Sequence, residues 1–143
     1  MTSPPLTDRE YAYFKIVGKG LSSVVSEKLA LEPTNEVNEG DINPRTKKPN
    51  KYMVWRYESG LDDRSPLNEH IQKLLSELEP HKENLVELSE NYDLYLQCVG
   101  YFHPFGHGIH LDSKIIEKVS TLKLSVDMDF YYIGDHGHDL DYH

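Results

Sequence analysis

The segment LKLSVDMDFYY, residues 122–132, alternates between two kinds of side chain with almost no error. One series consists of Leu122, Leu124, Val126, Met128, Phe130 and Tyr132, and the other of Lys123, Ser125, Asp127, Asp129 and Tyr131. Because successive side chains of a β-strand point to opposite faces, the segment predicts a strand with one buried face. Strands covered on both faces have continuous apolar runs, so the pattern favours an antiparallel or mixed sheet covered on one side.

Three other segments show the alternation of half-buried strands, and helical patterns lie between them. The strand segments are residues 11–17, 52–59 and 94–102. A short helix is predicted between Ser22 and Pro33. A segment of two helices separated by Pro80 is predicted within residues 65–91, and a further helix begins near Asp112.

The order of these elements predicts an α+β fold. Along the chain the order is β-α-β-αα-β-α-β. Right-handed crossovers arrange four such strands into a single-layer antiparallel or mixed sheet with the helices on one face. We therefore expect a ferredoxin-like sandwich or a close relative, with the other face of the sheet open.

The length and composition indicate one domain with short flanking segments. The chain has 143 residues, and 38% of them are hydrophobic, which is sufficient for a core. We predict a single α+β domain over residues 11–133. Residues 1–10 are expected to be a flexible leader, and residues 134–143, rich in His and Asp, a flexible tail.

The net charge of -9 excludes some classes of partner. Nucleic-acid-binding proteins present clustered Lys and Arg to neutralise phosphates, and anionic lipid attracts basic segments. We therefore expect neither nucleic acid nor membrane as a partner. An acidic surface suits a basic protein or a cation.

Cysteine usage and hydropathy predict a cytoplasmic protein. Cys98 is the single cysteine, so no internal disulfide can form, and its apolar surroundings favour a buried thiol. The N-terminus has no basic and apolar regions of a signal peptide. No apolar stretch is long enough to span a bilayer.

Histidines near the end of the chain suggest a divalent-metal alternative. The segments FHPFGHGIH and DHGHDLDYH contain the candidate ligands His103, His107, His110, His136 and His138. Imidazole and carboxylate groups bind zinc and other divalent metals. A metal-dependent enzyme could combine the His-rich loop at 103–110 with Asp127 or Asp129. No known ligand spacing is present, however, so we expect no cofactor.

The open face of the predicted sheet is the main candidate for binding. If the strand registers are correct, it collects Tyr13, Lys15, Arg56, Tyr95, Gln97, Tyr101, Asp127, Asp129 and Tyr131. Large amphipathic rings are favoured at protein interfaces, so this set favours protein contact. Alternatively, the polar loop at residues 34–51 covers the face, or a small-ligand pocket lies between loop and sheet.

Sequence motifs of catalysis are absent. The chain has no Gly-x-Ser-x-Gly elbow and no Gly-rich phosphate-binding loop. The segment GKGLS, residues 18–22, lies between a strand and a helix, and we interpret it as a plain turn and not an anion site. An enzymatic function is therefore not the first expectation.

Four segments together resemble a known family. They are YAYFKIVGKGLSSVVSEKLALEPT, EGDINPRTKKPNKYMVWRYESGLD, YLQCVGYF and GIHLDSKIIEKVSTLKLSVDMDFYY. They are similar to the bacterial domain-of-unknown-function family DUF4279 over about residues 11–132. The resemblance implies no established activity and carries over no catalytic residue. Small bacterial families of this kind include immunity proteins that neutralise a toxin, which is an analogy only.

These observations lead to one expectation and two alternatives. We expect a non-enzymatic, cytoplasmic module that binds another protein, of immunity type by analogy, through an open acidic and tyrosine-bearing sheet face. The alternatives are a metal-binding protein or metal-dependent enzyme and a small-ligand-binding domain. The sequence leaves the oligomeric state open.

Overall fold

The structure is a computed structural model that describes residues 8–103 and 108–133. Its strands are β1 (Arg9–Gly18), β2 (Asn35–Val37), β3 (Met53–Glu58), β4 (Asp93–Phe102) and β5 (Ser125–Tyr132). Its helices are α1 (Ser22–Leu29), α2 (Leu67–Leu78), α3 (Lys82–Leu88) and α4 (Ser113–Thr121). A 3₁₀ turn (Glu79–His81) joins α2 to α3, so three helical segments connect the strands. The α+β class is confirmed.

One mixed sheet contains all five described strands in the order β2-β3-β1-β4-β5. Neighbouring strands are antiparallel except β4 and β5, which are parallel and joined through α4. A parallel pair requires such a crossover, whereas an antiparallel pair does not. Strands β1 and β2, on either side of β3, therefore run in the same direction. So do β3 and β4, on either side of β1.

The predicted count of four strands is wrong, because β2 was not recognised. Its sequence, NEV, is short and lies inside the polar loop at residues 34–51, so it has no detectable alternation. The helix after β1 leads to β2, and β1 and β3 are adjacent and antiparallel. In the predicted ferredoxin-like order, residues 52–59 are the strand that directly follows the first helix. This order is therefore not confirmed.

The core lies between the helices and one face of the sheet. Phe14, Ile16, Met53, Trp55 and Leu96 from the strands are between 0% and 1% exposed. They form one cluster with apolar residues of all four helices, including Val25, Ile71, Leu85 and Val119. The helix-covered face therefore supplies most of the apolar burial that stabilises the domain.

The last strand is less buried than its alternation predicts. It begins at Ser125, because Lys123 has a positive φ of 64° that ends the turn after α4. Leu122 and Leu124 are buried beside α4, but Met128 is 40% exposed and Tyr132 44%. Val126 and Phe130 are only partly buried against the core, as suits a strand at the edge of the sheet.

The flanking segments lie mostly outside the described residues. β1 begins at Arg9, so the predicted leader, residues 1–10, overlaps the first strand by two residues. Residues 1–7 and the predicted tail at 134–143 are outside the described part of the chain. In the described part, no helix is both long and apolar enough to cross a membrane.

Candidate functional site

The face of the sheet opposite the helices holds all nine residues of the predicted binding set. The strand register places Lys15 between Arg56 and Tyr95. It also aligns Tyr13 with Gln97, and Gln97 with Asp127. Asp129, Tyr101 and Tyr131 follow on the same face toward the end of β5. We call this surface, which also includes Arg9 and Tyr11, the open face.

The centre of the open face is a buried amide. Gln97 is only 3% exposed, because the larger side chains around it cover it. Its Nε2 donates to Oδ2 of Asp129 at 2.7 Å, and its Oε1 accepts from Nζ of Lys15 at 3.4 Å. Both ends of the amide are therefore satisfied, as buried polar groups require. These bonds link β1, β4 and β5 across the face.

Each of three basic side chains lies over a tyrosine ring. The guanidinium of Arg56 is 3.6 Å from the ring centroid of Tyr13, and that of Arg9 is 4.7 Å from Tyr101. The ammonium of Lys15 is 5.0 Å from the ring centroid of Tyr95. Cations within about 6 Å of a ring centroid are attracted to it. The tyrosine rings are thus held in place by their own neighbours.

The unpaired carboxylates of the open face lie on β5, whereas Glu58 of β3 forms an ion pair with Arg56. Arg9, Lys15 and Arg56 make the part of the face formed by β1 and β3 basic. Asp127 and Asp129 are exposed, and within residues 8–103 and 108–133 neither forms an ion pair. The expectation of an acidic face therefore applies to one edge only. The whole face is bipolar.

The tyrosines of β1 are protonated at neutral pH. Burial raises the pKa of Tyr11 and of Tyr13, and the positive charge of Arg56 only partly opposes this effect. A phenol in this state donates hydrogen bonds and does not act as a base. This chemistry suits binding through contact and hydrogen bonding.

At the β5 edge of the open face, Tyr131 combines exposure with a fixed position. Its ring is 51% exposed and lies 5.2 Å from the ring of Tyr101, with the two planes inclined by 18°. Stacked pairs of this kind contribute beyond the area that they bury. Tyr131 therefore offers an ordered aromatic surface next to the two carboxylates.

The loop at residues 34–51 folds on itself and on the start of α1. Backbone bonds join Gly40 to Asn50 and Asn43 to Lys48. The Asn38 side chain accepts from the Ser22 amide, and the Glu39 side chain accepts from the Gly20 amide, both at 2.8 Å. These two amides are thus occupied by side chains of the loop, and residues 18–22 stay interpreted as a plain turn. The expectation that the loop covers the open face gains no support.

One groove bears on the small-ligand alternative. It has a volume of about 450 Å³. It lies where the first half of β1 and the end of β3 meet the turn after β3. Its lining includes Tyr11, Arg56 and Glu58, with Thr34 as the contribution of the loop. The groove is thus an extension of the open face and not a cavity beneath the loop.

The described residues do not bring the predicted metal ligands together. Nδ1 of His103 is 2.8 Å from Oδ1 of Asp8, whereas His110 is exposed beside α2. Asp127 and Asp129 lie on the open face, away from the helices. In residues 8–103 and 108–133 there is no group of three His, Cys, Asp or Glu side chains that could hold a metal. The other candidate ligands, His107, His136 and His138, lie outside the described residues.

A buried serine–histidine pair was not predicted. Oγ of Ser59 is 2.6 Å from Nδ1 of His70, and Nε2 of His70 is 3.1 Å from the carbonyl of Asp62. Since a carbonyl only accepts, Nε2 donates to it, and in the neutral imidazole Nδ1 then accepts from the serine hydroxyl. Ser59 is 3% exposed and His70 0%, so the pair joins the end of β3 to α2. The only sequence signal is a histidine within the apolar stripe of α2.

Comparison with known proteins identifies a family. A family model described as a domain of unknown function (DUF4279) matches residues 8–133. No curated protein and no solved structure matches.

Proposed function

The chain belongs to the DUF4279 family, and from its geometry we propose that it binds another protein through the open face. One observation carries this proposal. The side chains of the open face are held in fixed positions, although no element of the described residues covers them. Gln97 is buried and hydrogen-bonded at both ends of its amide, and three tyrosines are fixed by cations. A surface fixed in advance loses little conformational entropy on association.

The chemistry of the face favours a protein over other partners. Tyrosine and arginine are the residues enriched at the energetic centres of protein interfaces. The same rings are less suited to stacking on nucleotide bases, because Tyr13, Tyr95 and Tyr101 each have a cation over the ring. The net charge of -9 also opposes a polyanion.

The face is better suited to binding than to catalysis. General acid–base catalysis requires a group whose pKa is tuned near the working pH, usually by burial. Asp127 and Asp129 are exposed, and burial makes the phenols of Tyr11 and Tyr13 weaker acids. The proposal is therefore a non-enzymatic role. We favour an immunity-type role, by analogy with other small bacterial families. We favour a cytoplasmic location because Cys98 is an unpaired thiol.

A photo-crosslinking experiment tests the proposal. A photoreactive phenylalanine analogue is placed at Tyr131 in the full chain and activated in native cells. The control carries the analogue at Tyr52, which is also 51% exposed but lies next to Lys19, at the end of the sheet opposite to Tyr131. We expect a protein adduct from position 131 that is absent from position 52.

The partner identified in this way is then purified and its affinity measured. Asp127→Ala, Asp129→Ala and Tyr131→Ala are combined in one variant. The matched control combines Glu83→Ala, Glu117→Ala and Tyr52→Ala, which removes two negative charges from the helices and one equally exposed ring away from β5. We expect at least a tenfold loss of affinity from the first variant only. Equal affinity of the two variants would contradict the proposal.

The groove at the end of the open face supports a second candidate, a small-ligand-binding function. Arg56 and Glu58 supply charges of both signs to its lining, and Tyr11 supplies a ring. A thermal-shift screen against metabolites tests it, with Arg56→Ala as the variant that should abolish any shift. We do not propose a metal-dependent function, since nothing in the described residues favours one.

A further inference from the structure

The strand β5 is a long edge with one partner. Within the described residues it pairs only with β4, through eight residues from Ser125 to Tyr132. The opposite edge of the sheet is β2, which has only three residues. The outer side of an edge strand offers its backbone donors and acceptors to a further strand, and β5 offers those of residues 125–131. The β5 edge is therefore the place where a further strand can join the sheet.

The side chains of β5 are exposed on both of its faces. Asp127, Asp129 and Tyr131 are exposed on the open face. On the helix-covered side Met128 is 40% exposed, whereas the central inward residues of β1 and β3 (Ala12, Phe14, Ile16, Met53 and Trp55) are 0% to 1% exposed. An added strand would thus find an apolar surface on one side of β5 and two carboxylates on the other.

The two carboxylates define the charge of the strand that fits. Asp127 and Asp129 are two residues apart and so point to the same face. Neither has an ion-pair partner within the described chain. Directly opposite residues of neighbouring strands are stabilised by opposite charges and destabilised by like charges. A strand with Lys or Arg at alternate positions matches this pattern.

We propose that β5 accepts an extended segment of the partner protein as a sixth strand of the sheet. In that segment basic residues face Asp127 and Asp129, and apolar residues alternate with them beside Met128. Main-chain hydrogen bonds supply the pairing, and the alternating side chains supply specificity. The inference rests on the proposed function, because it states how the partner engages the β5 side of the open face.

A second copy of this chain fits the edge less well. An antiparallel pair of β5 strands centred on Met128 would place Asp127 of each copy opposite Asp129 of the other. Four carboxylates would then lie together on one face, which is unfavourable. The charges thus oppose self-association of the edge and favour a basic segment.

A synthetic peptide tests the inference on the intact protein. The probe is a blocked eight-residue peptide that alternates Lys with Val. The first control replaces every Lys by Glu. The second control consists of two Lys peptides, one N-methylated at the odd-numbered residues and the other at the even-numbered residues. We expect the unmethylated Lys peptide to bind and to slow amide exchange along β5. The Glu peptide and one of the two N-methylated peptides should bind at least tenfold more weakly.

A charge-reversal variant provides the matched control. Asp127→Lys and Asp129→Lys are combined, and the comparison variant combines Glu83→Lys and Glu117→Lys, which changes the net charge equally on the helices. The first variant should prefer the Glu peptide to the Lys peptide by about tenfold, and the second should keep the wild-type preference. Circular dichroism of both variants verifies that they are folded.

Four results would overturn the inference. They are no binding of the Lys peptide, equal binding of all the N-methylated and unmethylated Lys peptides, no reversal of preference in the Asp127 and Asp129 variant, and a dimer with slow exchange confined to β5. The proposed function is judged separately by the adduct at Tyr131. A partner that binds while no peptide does leaves that function standing and removes strand addition. Peptide binding without any adduct at Tyr131 would support strand addition at β5 and remove the proposed function.

Discussion

Tyr13 and Phe14 are neighbours in β1 that lie on the two faces of the same sheet. Phe14 is completely buried against Trp55, with the ring centroids 5.8 Å apart. Tyr13 is partly exposed and lies under the guanidinium of Arg56. The helix-covered face thus obtains its order from apolar burial, and the open face from cation–ring and amide contacts. The second kind of contact contributes much less stability, so residues there are freer to serve binding.

The largest predicted effect tests this contrast directly. Phe14→Ala leaves a cavity in the core and should lower the free energy of unfolding by about 3–5 kcal/mol. Tyr13→Ala removes a partly exposed ring and one cation–ring contact, and should cost at most about 2 kcal/mol. Urea denaturation of both variants measures the difference. Equal losses would mean that the open face is part of the core.

The next effect concerns the polar pair within the buried region. Ser59→Ala removes the donor to Nδ1 of His70, which is 0% exposed, and should cost about 1–3 kcal/mol. Ser125→Ala, at an exposed position of β5, should change the free energy of unfolding by less than about 0.5 kcal/mol. Urea denaturation of both variants checks this prediction. A small effect at Ser59 would indicate that water replaces its hydroxyl.

The pH dependence of stability tests the burial of Cys98 on the helix-covered face. Burial raises the pKa of the Cys98 thiol to about 12, and the charge of Asp127 acts in the same direction. In the unfolded chain a thiol has a pKa of about 8.5, so the folded protein retains the proton more strongly. The contribution is fully present below about pH 8.5 and is lost as the pH rises toward 12. The free energy of unfolding should fall by about 1.4 kcal/mol for each pH unit in that interval.

Cys98→Ala serves as the control for the pH experiment. The variant lacks the thiol, so its free energy of unfolding should fall less steeply between pH 8.5 and pH 10. The raised pKa values of Tyr11 and Tyr13 act in the same direction at higher pH in both proteins, and they cancel in the comparison. Parallel curves for the two proteins would show that the thiol is not the titrating group.

Alternation in the sequence predicted the faces well because it depends only on the two-residue period of a strand. It assigned nine residues from four segments to one face, and the pairing register brings all of them together. It also placed Cys98 in the interior. These results need no knowledge of the order of the strands.

Pairing and coverage could not be predicted in this way, because they depend on contacts between distant segments. β2 has only the residues NEV, and it becomes a strand by pairing with β3. Met128 belongs to the apolar series, but the edge position of β5 leaves it exposed. Gln97 belongs to the polar series and is buried, because neighbouring side chains close over it. Nothing local in the sequence distinguishes these two residues from their neighbours.

The smallest predicted effect on stability is also the most informative for function. Asp127→Asn combined with Asp129→Asn removes both charges of β5 while the side-chain oxygen that accepts from Gln97 is retained. Because both carboxylates are exposed and have no ion pair in the described chain, the free energy of unfolding should change by less than about 0.5 kcal/mol. Binding of the captured partner should nevertheless weaken, and its dependence on salt concentration should become shallower. Urea denaturation and affinity measurements at two salt concentrations check both statements. A loss of stability above about 1 kcal/mol would show that these charges hold the sheet together, and the open face could then no longer be regarded as a surface reserved for a partner.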